Sequence, residues 1–398
     1  MVSQVKLQSR KGARKNALLL GAGYCARALI PALASRGYAI TGTTRQTEKF
    51  SQLSELGITP CLFNGSSNSK LDQAIKDADI ILSSIPPIEG RDPVISAYGQ
   101  PLMTLAAKAE WVGYLSATSV YGDRQGQWVF EDEAPLPITR RGRNRANAEL
   151  AWFETGLPVH VFRLAGIYGP PISGLERNAF ERIKTGRARA IYKPGHVVNR
   201  IHVEDIARAL ICSIDNPNPV SIYNIADDEP APPDEVLKFA ADILGARRAQ
   251  KLEFEKAQLT PLARSFYLET KRVNNEWAKR SLGWMPQYPN YRKGLLSTLK
   301  AKNGHTNEVY LAGYIDVPAK ALDHVRRALP THSRLSQAEK DCAVFRVRQD
   351  PEHPARFNVF EIFTNKAAYD RHQARMKNSE WAHVTRSAVR HYDVIGAE

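Results

Sequence analysis

The chain has 398 residues, with 55 Lys and Arg against 41 Asp and Glu, a formal net charge of +14, and 43% hydrophobic residues. That balance fits a globular protein of two or three domains with ample core. No apolar run approaches the roughly 18–20 residues that span a bilayer, so no membrane partner is expected.

The positive charge is spread out, with local runs at Arg10–Lys15 and Arg140–Arg145 and no helix-turn-helix, zinc-finger or RNA-binding signature. The expected partners are therefore small molecules bearing phosphate or other anionic groups, not nucleic acid. Residues 1–15 read as a basic flexible tail; the apolar run after them is too short for a signal peptide. Cys25, Cys61, Cys212 and Cys342 have no paired spacing, which fits a reducing cytoplasm. None of the ten histidines sits in a ligand pair such as H-E-x-x-H, so no metal is expected.

In chain order, NALLLG (Asn16–Gly21) is an apolar run read as a buried parallel strand. It ends in a GAG turn and enters a helix whose inner face is Ala26, Leu29, Ile30, Leu33 and Ala34. A second strand (Tyr38–Thr43), a helix (Gln46–Leu56), a third strand (Thr59–Phe63) and the strand in DADIILSSIPP continue the alternation. Then come the strand Val112–Ser116, an exposed turn, and an amphipathic helix in TRRGRNRANAELAW. PVHVFRLAGIYGPP reads as a sixth strand leaving into a Gly/Pro loop. The phrases NRIHVEDIARALICSI and YNIADDEPAPPDEV follow, the latter a strand, a Pro-rich loop and a helix. Alternation of this kind builds a doubly wound parallel sheet.

LKAKNGHT (Leu299–Thr306) is polar and reads as a linker, after which the pattern changes. VYLAGYIDV alternates as a half-buried strand, and a helix, two strands joined by PEHP, a helix and a last strand follow. A β-α-β-β-α-β order of this length is a ferredoxin-like unit.

The segment YLSATSVYGD…TRRGRNRANAELAW, with the GAG turn and the IHVED phrase, resembles the extended short-chain dehydrogenase/reductases, the NAD-dependent epimerases and dehydratases. The resemblance covers about residues 16–299. It implies a Rossmann domain with a substrate subdomain, and a catalytic hydroxyl, tyrosine and lysine. Here the hydroxyl position holds Ala117, the tyrosine position Arg141 and the lysine position Arg145. Arginine stays protonated and can neither donate a proton as tyrosine does nor relay one as a tuned lysine does.

DCAVFRVRQDPEHPARFNVFEIFTNKAAYDRHQ resembles the antibiotic-biosynthesis monooxygenase domains, which form dimeric α+β barrels. That resemblance implies a C-terminal domain over 308–398, a linker over 300–307 and a homodimer. It makes His372 a catalytic candidate, with Tyr310, Tyr314, Asn358, Phe360 and Trp381 as lining residues.

Cofactor candidates are Gly21, Gly23, Tyr24 and Cys25 at the turn, Thr44 and Arg45 after the second strand, and Ser84, Ile85 and Pro86 after the fourth. Glycines let the backbone approach a pyrophosphate at the helix N-terminus. The second strand runs into Thr44–Arg45 with no acid for a ribose 2′-hydroxyl, which favours NADP over NAD. Ser116, Thr118, Tyr121 and Arg145 are the catalytic candidates around the altered triad, and Arg141, Arg143 and Arg200 the substrate-binding ones. The arginine that meets a nucleotide-sugar phosphate, four residues before the histidine of IHVED, is Val198 here, which argues against such a substrate.

The expectation is an NAD(P)-binding oxidoreductase or epimerase-like protein acting on a small polar carbonyl or hydroxyl compound with a non-standard site. Its alternatives are a non-catalytic NADP(H)-responsive protein and cofactor-independent oxygenation in the C-terminal barrel.

Overall fold

The computed structural model describes residues 14–304 and 306–397, so most of the basic segment 1–15 lies outside the described residues. The chain divides into two compact units that are not consecutive in sequence. One comprises 14–165, 203–226 and 271–285; the other comprises 166–202, 227–270 and the remainder from 286.

The first unit is built on a seven-stranded sheet. Its strands are β1 (Asn16–Leu20), β2 (Ala39–Thr44), β3 (Ile58–Leu62), β4 (Ile80–Ser83), β5 (Trp111–Ala117), β6 (Val159–Leu164) and β7 (Ser221–Ile225). They lie in the order β7-β6-β5-β4-β1-β2-β3, every pair parallel. The order reverses at β1, so the crevice beyond the carboxyl ends of β1 and β4 is the switch point where such sheets bind ligands. Strands buried on both faces explain the continuous apolar runs, with Leu18, Leu20, Ile81, Val112, Tyr114, Val159 and Val161 in one cluster. Helix α1 (Tyr24–Ser35) follows β1, α2 (Arg140–Phe153) follows the long connection after β5, and α3 (Val203–Asp215) precedes β7. The helix expected over Gln46–Leu56 is shorter, a 3₁₀ turn at Thr47–Lys49 running into Phe50–Glu55.

PVHVFRLAGIYGPP is two strands and not one. The chain leaves the first sheet at Leu164, and Gly166–Ile172 pairs in the second unit with Arg200–His202. The same crossing back separates His202 from Val203, the first residue of α3.

The second unit holds α4 (Pro233–Leu244), α5 (Tyr291–Asn303) and an antiparallel sheet. That sheet comprises β8 (Val309–Asp316), β9 (Cys342–Gln349), β10 (Arg356–Phe363) and β11 (Val389–Ile395), in the order β9-β10-β8-β11. This is the ferredoxin-like arrangement. Helix α5 runs to Asn303, so the first half of the expected linker is its last turn.

Alternation along β8 and β10 decides what each sheet face meets. Ile315 and Phe357 pack under α6 (Leu322–Gln337) together with Val325, Ala328 and Trp381. Val309 and Phe363 meet Ala368 of α7 (Lys366–Lys377). Tyr310, Ala312, Phe360 and Ile362 point the other way and join Val236, Ala240 and Ile243 of α4 and Leu295, Leu296 and Leu299 of α5. Both faces of the central strands β8 and β10 are therefore covered by the chain's own helices. Each large side chain so buried contributes roughly 1.5–3 kcal/mol.

Polar contacts fix the same layer. Arg346 of β9 donates to the carbonyls of Asp242 and Ile243 at 3.1 Å each, closing the end of α4. Gly245 (φ +67) leaves room for it, since a Cβ there would lie 2.8 Å from the guanidinium carbon. Arg248 bridges Asp242 and Asp350, and Arg292 bridges Glu229 and Asp393.

Candidate functional site

The carboxyl ends of β1, β2 and β4 meet at Gly21. Its φ of +88° suits glycine, and a Cβ there would lie 2.9 Å from Ile85 Cγ1 and 3.0 Å from Ser84 Oγ. The Gly21 N–H donates to Thr43 Oγ1 at 2.7 Å, and Ser84 Oγ donates to the Gly21 carbonyl at 2.6 Å. The turn is thus pinned from both neighbouring strands.

Gly23 caps α1, whose first turn holds no acid, so the helix presents its positive end. Tyr24 and Cys25 are buried in that first turn. Arg27, also buried, donates to the Ala22 carbonyl at 3.0 Å and to Gln52 at 3.2 Å, and burial lowers its pKa. Neither Thr43 nor Arg27 was singled out from sequence; both support the turn.

Thr44 ends β2, and Arg45 follows it, exposed and without a hydrogen bond or ion pair among the described residues. Ser84 and Ile85 are half-buried and Pro86 is exposed. A backbone cradle that excludes a Cβ and a helix N-terminus together fit the pyrophosphate of a dinucleotide, and the free guanidinium lies just beyond β2.

At the end of β5 the side chains are differently arranged. Ser116 is buried and donates to Glu149 of α2 at 2.5 Å. Glu149 also receives Arg163, with Nη2 to Oε2 at 2.8 Å. Arg163 donates to the Tyr121 hydroxyl at 2.9 Å, which donates to Asn224 Oδ1 at 2.7 Å. Tyr121 is 0% exposed, and burial pushes its pKa up to about 12. Burial would lower the Arg163 pKa, but the hydrogen bonds and charge of Glu149 raise it overall. Ser116 and Tyr121 are therefore links in a closed, buried network. Sequence gave no warning of it, because Arg163 and Glu149 lie inside apolar-looking runs.

Ala117 and Thr118 are half-buried at the strand end. Arg145, at the lysine position, donates to the Leu115 carbonyl at 2.6 Å and the Tyr114 hydroxyl at 3.1 Å. Its guanidinium lies 5.8 Å from the Tyr114 ring centre. Arg143 is exposed and donates to the Ile138 carbonyl at 2.9 Å; Arg141 is half-buried. Between them Gly142 presses α2 against the preceding turn, where a Cβ would lie 2.4 Å from the Ser119 carbonyl oxygen.

Arg200 belongs to the second unit. Its Nη1 donates to the carbonyls of Val198 and Ala231 at 2.8 and 2.9 Å, and burial lowers its pKa. Asp227 is 2% exposed, and burial raises its pKa well above the usual range, with Arg200 opposing. His202 is enclosed by the rings of Tyr168 and Tyr288, and burial lowers its pKa to about 3.

His372 is buried against the helix-covered face, with Nδ1 2.9 Å from Glu339 and Nε2 3.8 Å from Glu361. His372 and the five expected lining residues do not share one cavity. Tyr310 and Phe360 face α4 and α5, whereas Trp381 lies with α6 on the opposite face. The Tyr314 ring lies tilted against that of His391, with centroids 4.6 Å apart, and Asn358 donates to Asp350 at 3.0 Å. Among the described residues no group of His, Cys, Asp and Glu could hold a metal ion.

Residues 17–226 match the profile of the NAD dependent epimerase/dehydratase family, and residues 309–383 that of antibiotic biosynthesis monooxygenase. The chain is 28% identical to protein YeeZ of Escherichia coli (strain K12) over 289 residues, 69% of this chain and 97% of the relative. It is 25% identical to the 3-diazoavenalumate denitrifying reductase of Streptomyces sp over 303 residues, 70% of this chain and 98% of the relative. A solved structure of a functionally unknown conserved protein from Silicibacter pomeroyi DSS is 43% identical, with a TM-score of 0.67, covering 72% of this chain and 99% of that one. The UDP-glucuronic acid 4-epimerase from Bacillus cereus in complex with NAD shares the fold at 18% identity and a TM-score of 0.57, covering 72% of this chain and 99% of that one.

Proposed function

The chain belongs to the NAD dependent epimerase/dehydratase family, and from that premise we propose that its first unit binds NADP(H) and exchanges hydride with a small polar carbonyl or hydroxyl compound. The observation that carries this reading is the contrast between the two ends of the site. At the cofactor end Gly21, Gly23, Tyr24 and Cys25 form the pyrophosphate turn, and Thr44 and Arg45 take the 2′-phosphate. Ser84, Ile85 and Pro86 support the ribose. A relative named as a reductase supports a role in reduction.

At the chemical end the chain's residues bind and orient but do not exchange protons. Arg145, tied to the Leu115 carbonyl, holds a ribose or an anionic substrate group. Arg141 and Arg143 are the anion-binding candidates there, and Arg200 is a separate candidate within the second unit. Ser116 and Tyr121 act through structure, since their hydroxyls are engaged in the Glu149–Arg163 network. Thr118, the half-buried hydroxyl at the strand end, orients water that carries the proton. Loss of a tuned acid lowers the rate by roughly 10²–10⁴-fold, so slow turnover with firm cofactor binding is expected.

That same locking of Ser116 and Tyr121 favours a second reading, a non-catalytic NADP(H)-responsive protein. Oxygenation at His372 has less support, because that ring is held by Glu339 inside a packed face. The proposal includes a reducing cytoplasmic setting for the four free cysteines. It also includes a homodimer built on a surface other than the sheet face that α4 and α5 cover.

Calorimetry tests the reading. NADPH should bind with micromolar affinity and in preference to NADH, and Arg45→Glu should reverse that preference. Absence of binding by either dinucleotide refutes it. Turnover of a carbonyl substrate that disappears in Arg45→Glu removes the non-catalytic alternative.

A further inference from the structure

The second unit carries an open groove of about 730 Å³ that plays no part in the site above. Leu237 and Ala241, one turn apart on α4, line it together with Ile183, Ala188, Arg247 and Arg248. The opposite face of α4 supplies Val236, Ala240 and Ile243 to the core beneath the C-terminal sheet. The groove wall is therefore held by a packed helix, and its size lies in the range of small-molecule sites, roughly 300–1,000 Å³.

Charge tells what the groove would accept. Of the basic residues, Arg247 and Arg248 line the groove; Arg182, Lys184, Arg187 and Arg189 only neighbour its lining residues Ile183, Gly186 and Ala188 in sequence. Arg248 is neutralised and immobilised by Asp242 at 2.7 Å and Asp350 at 2.9 Å. Arg187 reaches Glu181 at 3.4 Å. Arg247, the other lining cation, forms no hydrogen bond or ion pair among the described residues and is exposed. An apolar wall beside one exposed, unpaired arginine is complementary to a molecule with an apolar body and an anionic head.

We propose that this groove binds a small amphiphilic anion, an acyl or aryl chain carrying a phosphate or carboxylate. Ile183, Ala188, Leu237 and Ala241 take the chain, and Arg247 takes the head. Arg248 is a fixed wall, positioned by Asp350 from the C-terminal module. The site is independent of the dinucleotide turn and of any turnover there.

Calorimetry of the full chain with monomeric dodecyl phosphate tests it, with dodecyl maltoside, inorganic phosphate and a short DNA duplex as comparators. The expected result is one dodecyl phosphate per chain, bound at least tenfold more tightly than either dodecyl maltoside or inorganic phosphate, and unaffected by saturating NADPH. Arg247→Glu should weaken it about tenfold, and Ala188→Trp, which fills the groove, should weaken it at least as much. Both variants should keep the parent's far-ultraviolet spectrum and its NADPH affinity. Equal binding of dodecyl maltoside would overturn the proposal, as would multiple sites per chain. So would competition by NADPH, equal competition by the duplex, or unchanged affinity in two folded variants.

Discussion

Glu361→Gln should stabilise the C-terminal part of the protein, by an amount that depends on pH in a stated direction. Glu361 is 6% exposed, and its Oε2 has no hydrogen-bond partner among the described residues. His372 Nε2 lies 3.8 Å away, and the other nitrogen of that ring is engaged by Glu339, which Arg375 also pairs. Burial first, and then the Glu339 charge, raise the Glu361 pKa from 4.5 to about 8, with Arg375 opposing. The carboxyl is therefore protonated in the fold at neutral pH but ionised when the chain unfolds. A raised folded-state pKa in an acid means stability falls as pH climbs from about 4.5 to about 8, and is level on either side.

At about 1.4 kcal/mol per pH unit the loss is on the order of 3 kcal/mol at pH 7 and 5 kcal/mol above pH 8. Glutamine keeps the shape and stays neutral in both states, so Glu361→Gln should recover most of that loss at pH 7 and nothing near pH 4.5. Native-state hydrogen exchange of the Arg356–Phe363 segment in a urea series at pH 4.5, 7 and 8.5 measures it. Parallel pH profiles for parent and variant would refute the reasoning. A variant less stable at pH 7 would do so too, since it would mean that an ionised Glu361 is favourably paired.

Other substitutions probe the first unit. Gly21→Ala forces a side chain into φ +88° against Ile85 and Ser84, at roughly 1–3 kcal/mol, and NADPH titration should show binding reduced at least tenfold. Arg163→Ala strands the buried Glu149 carboxylate, for a loss of about 3–5 kcal/mol in urea unfolding, while Arg163→Met with Glu149→Leu should regain most of it. A loss under about 1 kcal/mol in the single variant would contradict a tight buried pair. Tyr121→Phe removes a hydroxyl bonded to Arg163 and Asn224, so stability should drop by about 1–2 kcal/mol with little effect on NADPH affinity. If carbonyl reduction is found and its kcat falls more than a hundredfold in Tyr121→Phe at unchanged KM, Tyr121 is the proton donor after all.

Much of the architecture could be read from the chain, because its signals are local. Apolar runs ending in GAG or SSIPP mark buried parallel strands leaving into turns, and they correspond to β1 and β4. Alternation in VYLAGYIDV marks a sheet with two different faces, and it corresponds to β8. Substitution of arginine at the tyrosine and lysine positions is likewise visible from spacing alone. What escaped was where the chain changes partner. The Gly/Pro signal after Leu164 marks a loop and not a change of sheet, and His202–Val203 carries no turn signal, yet the chain passes between units at both.

The chain by itself determined a doubly wound sheet, a glycine turn free of side chains, a basic residue after the second strand, and a chemical end lacking a phenol and an ammonium group. Each depends on residues within a few positions of one another. Tertiary structure alone decided that Ser116 and Tyr121 are engaged by Glu149 and Arg163. It also decided that α4 and α5 cover the outer face of the C-terminal sheet. Both depend on contacts between segments separated in sequence, where burial turns an arginine inside an apolar run into half of an ion pair and gives a half-polar strand face a partner within its own chain.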